Sequence, residues 1–94
     1  MKKRVNFGIS TTGSVKSYYL WVERKNVKLK NKKGYLLLEP RSEEYDLVYL
    51  AKGQNSATFI VTVTSSGKTL AKRKSKIGIN EKTSGMVTFN LEQE

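Results

Sequence analysis

The sequence predicts an all-β domain, an antiparallel β-sandwich of seven or eight short strands at roughly 8–12-residue spacing. Three observations carry that expectation. Apolar residues recur at spacing two, in short runs closed by Gly, Asn and Ser. No apolar series at helical spacing persists over the length of a helix. Turn-forming residues return regularly between the runs. A sandwich of immunoglobulin-like or transthyretin-like type fits this pattern. A small barrel of the oligonucleotide-binding (OB-like) kind is the alternative, but such barrels usually include a helix that the sequence does not offer.

The first strand is expected over Lys3 to Ile9, with Val5, Phe7 and Ile9 on one face. Ser10 to Ser14 reads as a small-residue connection in which Gly13 is free to adopt positive φ. Tyr18 to Arg24 reads as the second strand. Tyr18, Leu20 and Val22 point one way and Tyr19 and Trp21 the other. Val27 to Asn31 reads as a third strand, turning Val27 and Leu29 inward and Lys28 and Lys30 outward, with Asn31 to Gly34 as a turn.

Tyr35 to Glu39 is the fourth expected strand, ended by Pro40, which has no N–H to donate to a ladder. After a polar loop over Arg41 to Glu44, Asp46 to Lys52 sets Leu47, Tyr49 and Ala51 against Val48 and Leu50. Gly53 to Ser56 turns the chain. Ala57 to Thr64 then carries Phe59, Val61 and Val63 inward and Thr58, Thr62 and Thr64 outward, with Ile60 as the exception. Ser65 to Lys68 has hairpin chemistry, and Thr69 to Ile77, rich in cations, reads as an edge strand or as one exposed on both faces. Gly78 to Gly85 is expected to be a connection, Met86 to Leu91 the last strand, and Glu92 to Glu94 a solvated tail.

Residues 1–94 are expected to form one domain, near the lower end of sizes that fold unaided. So short a chain buries about 60–65% of its unfolded surface, and nearly every apolar residue is needed for one core. There is no Cys to staple it. The start Met1-Lys2-Lys3-Arg4 resembles the charged opening of a secretory signal. Asn6, Gly8, Ser10, Thr11 and Thr12 break any apolar run behind it, so neither a signal peptide nor a membrane span is read.

With neither His nor Cys, the commonest general bases, nucleophiles and transition-metal ligands are missing, and no catalytic residue, metal site or cofactor is expected. Ser66-Gly67-Lys68-Thr69 resembles the end of a phosphate-binding loop. That motif needs a Gly five residues before Gly67, where Thr62 stands, and a helix afterwards; the string reads as a turn. Glu39, Glu43, Glu44 and Asp46 cluster around one loop, but Asp46 is the single Asp and the spacing of a calcium loop is absent.

What stands out is charge: 18 Lys and Arg against 8 acids, a net +10. Lys28, Lys30 and Lys32, if on one strand, would form a row of ammonium groups about 6.5–7 Å apart, close to the spacing of phosphates along a nucleic-acid strand. Lys72, Lys74 and Lys76 would form a second. Lysine outnumbers arginine, which favours contacts to an anionic backbone over base reading. Tyr19 and Trp21 lie opposite Tyr18, Leu20 and Val22, and with one of these two faces expected to be exposed they are candidate aromatic contacts. Two functional readings follow. One is a non-catalytic binding or interaction module for an anionic partner: a nucleic-acid backbone, an acidic polysaccharide or an anionic membrane surface. The other is an immunoglobulin-like structural or protein-interaction domain of a larger secreted or cell-surface bacterial protein, whose lysines protect strand edges and solubility.

Overall fold

A computed structural model describes residues 2–91, so the expected tail at Glu92 to Glu94 lies outside the described residues. Eight strands run in chain order: β1 (Lys3–Thr12), β2 (Val15–Val22), β3 (Lys25–Val27), β4 (Lys33–Leu38), β5 (Tyr45–Gly53), β6 (Thr58–Ser65), β7 (Lys68–Lys76) and β8 (Lys82–Phe89). They form two four-stranded antiparallel sheets, ordered β4-β1-β6-β7 (sheet A) and β3-β2-β5-β8 (sheet B). The two sheets pack face to face as a β-sandwich. In a constant-type immunoglobulin domain the first two strands are neighbours in one sheet; here β1 and β2 lie in opposite sheets. No helix among the described residues is long and apolar enough to cross a membrane.

The period-two alternation explains the core directly. Val5, Phe7 and Ile9 of β1 and Phe59, Val61 and Val63 of β6 are buried from one sheet. Leu20 and Val22 of β2, Leu47, Tyr49 and Ala51 of β5, and Phe89 of β8 are buried from the other. Aromatic pairs join the two layers. Phe7 meets Phe89 edge-on at 6.2 Å between ring centroids, and Phe59 touches Tyr18 at 5.9 Å and Tyr49 at 5.7 Å. Such contacts add about 0.5–1.5 kcal/mol each beyond area burial, which matters in a core this small.

Two-residue turns close two of the strand pairs, β2 with β3 and β6 with β7, and the isolated bridge between Lys30 and Lys33. At each, both central residues have positive φ: Glu23 and Arg24 (46° and 76°), Asn31 and Lys32 (54° and 64°), Ser66 and Gly67 (52° and 79°). Paired positive φ matches the right-handed twist of flanking strands. The last of these is the hairpin expected at Ser65 to Lys68.

The first two correct the strand reading between residues 18 and 34. The second strand ends at Val22, not Arg24, and Val27 to Asn31 is not a strand. Glu23 is held in the left-handed region by its surroundings: its amide donates to the Asp46 carbonyl (3.2 Å), and its carboxylate accepts from Arg41. The chain then pairs only briefly, over Lys25–Val27, before leaving for sheet A. Lys30 and Lys33 exchange two backbone hydrogen bonds, 2.8 and 3.1 Å, around the Asn31–Lys32 turn. Val27 is buried and Leu29 half-buried, as the alternation anticipates, although no continuous strand joins them.

The reading is also corrected at the last strand. Lys82 to Gly85, expected to be a connection, pairs in register with Lys52 to Tyr49 and belongs to β8. The segment has no apolar alternation to reveal it; Gly85 is there because the Tyr49 ring lies across it.

Candidate functional site

Cross-strand register brings together residues that are far apart in the sequence. On the outer face of sheet A, Lys33 is level with Gly8, Gly8 with Thr62, and Thr62 with Lys72. One row therefore crosses the whole sheet with a lysine at each end, their backbones about 14 Å apart at the usual strand spacing. The next rows set Lys74 beside Ile60 and Ser10, and Lys76 beside Thr58 and Thr12. Arg4 lies toward the other end, level with Leu37.

Gly8 is the floor of this arrangement. A Cβ built on it would meet nothing within 4 Å. The open space is a groove of about 430 Å³ whose polar lining comes from Arg4, Asn6, Lys33, Tyr35, Thr62 and Thr64. Arg4 is held over the Tyr35 ring, 4.2 Å from its centroid, and donates through Nε to Asn6 Oδ1 at 3.1 Å. The outward positions of sheet A include Arg4, Lys33, Lys72, Lys74 and Lys76, and no acid among the described residues. A surface of one sign, lined with hydroxyls and floored by bare backbone, attracts anions and can donate hydrogen bonds to them.

Of the two lysine rows expected from sequence, one is present. Lys72, Lys74 and Lys76 share the outer face of sheet A on its edge strand β7, past a bulge between the Val63 and Thr64 pairs. Lys28, Lys30 and Lys32 make no row, because the segment is not a strand. Lys32 stands in a turn with its Nζ donating to Thr11 Oγ1 at 3.0 Å, and Lys30 occupies an isolated bridge. This segment leads into β4, at the opposite edge of sheet A from β7. Arg4 and Lys33, not singled out from sequence, join the β7 lysines instead. Only the strand register could have revealed them.

Tyr19 and Trp21 are on the outer face of sheet B, as the alternation of β2 requires, with rings stacked at 6.0 Å and 22°. Tyr19 is level with Leu50, Trp21 with Val48, and Val48 with Met86. Tyr19, Val48 and Met86 are 45, 42 and 55% exposed, so these residues form one open apolar patch. Lys28 and Tyr19 also line a shallower cleft of about 330 Å³ where β3 stops short of the first half of β2.

The acidic loop serves structure. Arg41 lies 3.7 Å over the Tyr45 ring, pairs with Glu23, and donates to the carbonyls of Glu43 (3.3 Å) and Glu44 (3.1 Å). The hydrogen bond to Glu23, opposed by some desolvation, raises the guanidinium pKa above its ordinary value. No group of acids among the described residues is placed to hold a metal ion. Compared with protein-family models, curated proteins and solved structures, the chain matches none.

Proposed function

We propose that this domain is a non-catalytic binding module that takes an anionic macromolecule on the outer face of sheet A. The observation that carries the reading is the composition of that face: Arg4, Lys33, Lys72, Lys74 and Lys76, with no acid among the described residues, around the groove over Gly8. A face serving only to protect an edge would need cations on the edge strand alone; Arg4 belongs to β1, an interior strand.

The ligand is held by point charges along its backbone. Tyr35 is the one aromatic ring on this face among the described residues, and one side of it is covered by Arg4. Proteins that hold unpaired bases stack several on open rings. A duplex nucleic-acid backbone, an acidic polysaccharide and an anionic lipid surface all offer the charge without requiring stacking.

Titration with random-sequence duplex DNA, a sulfated polysaccharide and anionic vesicles, each at two salt concentrations, tests the reading. Five phosphate contacts give a log–log salt slope of about −4.5 on duplex DNA. No binding to any of the three at low salt overturns it.

A further inference from the structure

The outer face of sheet B is charged at its two ends with opposite signs and apolar between them. Along β5 the outward residues are Asp46, Val48, Leu50 and Lys52, and Lys82 of β8 is level with Lys52. The apolar middle is Val48 and Leu50, flanked by Tyr19 and Trp21 on one side and Met86 on the other. Asp46 and Lys52 are separated by about 20 Å of strand. Arg24 and Arg41 are beyond the acidic end, in the turn and the loop, with Arg41 committed to Glu23.

We propose that this face is the interface of a twofold homodimer in which β5 of one copy runs antiparallel to β5 of the other. The argument is complementarity of the face with itself. Two copies stacked face to face with their strands roughly aligned can be related by a dyad along the strands or by one across them. A dyad along the strands sets Asp46 against Asp46 and Lys52 against Lys52, which repels. A dyad across the strands, passing between Val48 and Leu50, sets Asp46 of each copy against Lys52 of the other. It also places Val48 on Leu50 and Trp21 on Tyr19. Only the second arrangement covers the apolar middle and pairs the charges.

The size of the face sets the strength. Three strands of eight or nine residues and the three residues of β3 cover on the order of 450 Å² per copy, below the roughly 800 Å² per partner of a stable complex. The dimer is therefore weak, forming in the micromolar to millimolar range. It leaves both sheet A faces outward and does not depend on what they bind.

Sedimentation equilibrium from about 10 µM to about 1 mM tests the proposal. The expected result is a monomer–dimer equilibrium, with the fluorescence of Trp21, the single Trp, losing iodide quenching as dimer forms. Asp46→Lys and Lys52→Asp each place like charges at both ends of the interface. Each alone should lose at least tenfold in association constant, and an equimolar mixture of the two should regain it as heterodimer, since every pair is then opposite in sign. Val48→Glu, at an exposed position, should abolish association and retain the fold by circular dichroism. A monomeric wild type at 1 mM overturns the proposal, as does a mixture no more associated than its components. So does Val48→Glu associating like the wild type, which would mean that another surface is used.

Discussion

Tyr49 of sheet B lies over the bare Cα of Gly85 and hydrogen-bonds through its hydroxyl to Ser75 of sheet A. The ring is 1% exposed and stacks on Phe59, so it has nowhere to swing. This one side chain ties β5, β7 and β8 together at the side of the sandwich where the two sheets' edge strands meet.

Gly85→Ala is therefore expected to destabilise the fold. The added Cβ would stand 2.7 Å from Tyr49 Cζ, inside van der Waals contact. Overpacking of this kind costs about 1–3 kcal/mol, or about 4–8 °C in Tm per kcal/mol for a domain of this size. Tyr49→Phe removes the hydroxyl and its bond to Ser75, for about 0.5–1.5 kcal/mol. Tyr49→Phe also removes the hydroxyl oxygen, the atom nearest the added Cβ, but leaves Cζ in place, so it should rescue Gly85→Ala only in part. Urea unfolding of the two single variants and the double variant measures all three effects.

Lys32→Gly is expected to stabilise the protein and leave polyanion binding unchanged. Lys32 holds φ at 64° after Asn31 at 54°, a pair of values that favours Asn-Gly. A side chain pays for the left-handed region by about 1 kcal/mol, offset in part by the extra freedom of glycine in the unfolded chain. The exposed bond from Lys32 to Thr11 is lost, at little cost. A net gain of about 0.5 kcal/mol should be visible as a higher denaturation midpoint. A fall in stability would mean that the Lys32 bond outweighs the turn strain.

The turn at Asn31 shows what the sequence could and could not disclose. Asn31 and Gly34 mark a reversal, and alternation correctly turned Val27 and Leu29 inward. The earlier reversal at Glu23–Arg24 carries no Gly, Asn or Pro. It is maintained by Arg41 and by the backbone of Asp46, residues from a later loop and strand, and no local pattern reports such a contact. The inward faces of β1, β2, β5 and β6 were legible because burial imposes period two on them. The cationic face of sheet A was half legible for the same reason. Lys72, Lys74 and Lys76 share a face on one strand, whereas their sharing of that face with Arg4, Gly8 and Lys33 depends on pairing across four strands. Register of that kind is set by the whole sheet.

Within the basic residues, the expected division of effect is sharp. Replacing Lys72, Lys74 and Lys76 together by Ala should reduce the salt slope on duplex DNA from about −4.5 to about −2, with a matching loss of affinity at low salt. Replacing Lys28, Lys30 and Lys32 removes the same charge from a segment that makes no row. Its effect should be confined to weaker long-range attraction, with the slope nearly unchanged. Equal losses from the two triple variants would show that net charge, not the sheet A face, governs binding.

Gly8→Val separates the groove from the charges around it. Gly8 is in the middle of β1, paired on both sides, with open space where a Cβ would stand and no positive φ to forbid one. A glycine inside a strand costs about 0.5–1 kcal/mol relative to alanine, and a β-branched residue packs well on a pleated surface. The variant should therefore unfold at higher urea than the wild type. Its isopropyl group would occupy the floor of the groove between Lys33 and Thr62, keeping an anion from the backbone there while every cation remains. Binding should weaken severalfold with little change in salt slope, a combination that loss of charge does not produce. Unchanged affinity would place the ligand on the lysine rows alone, with the groove unoccupied.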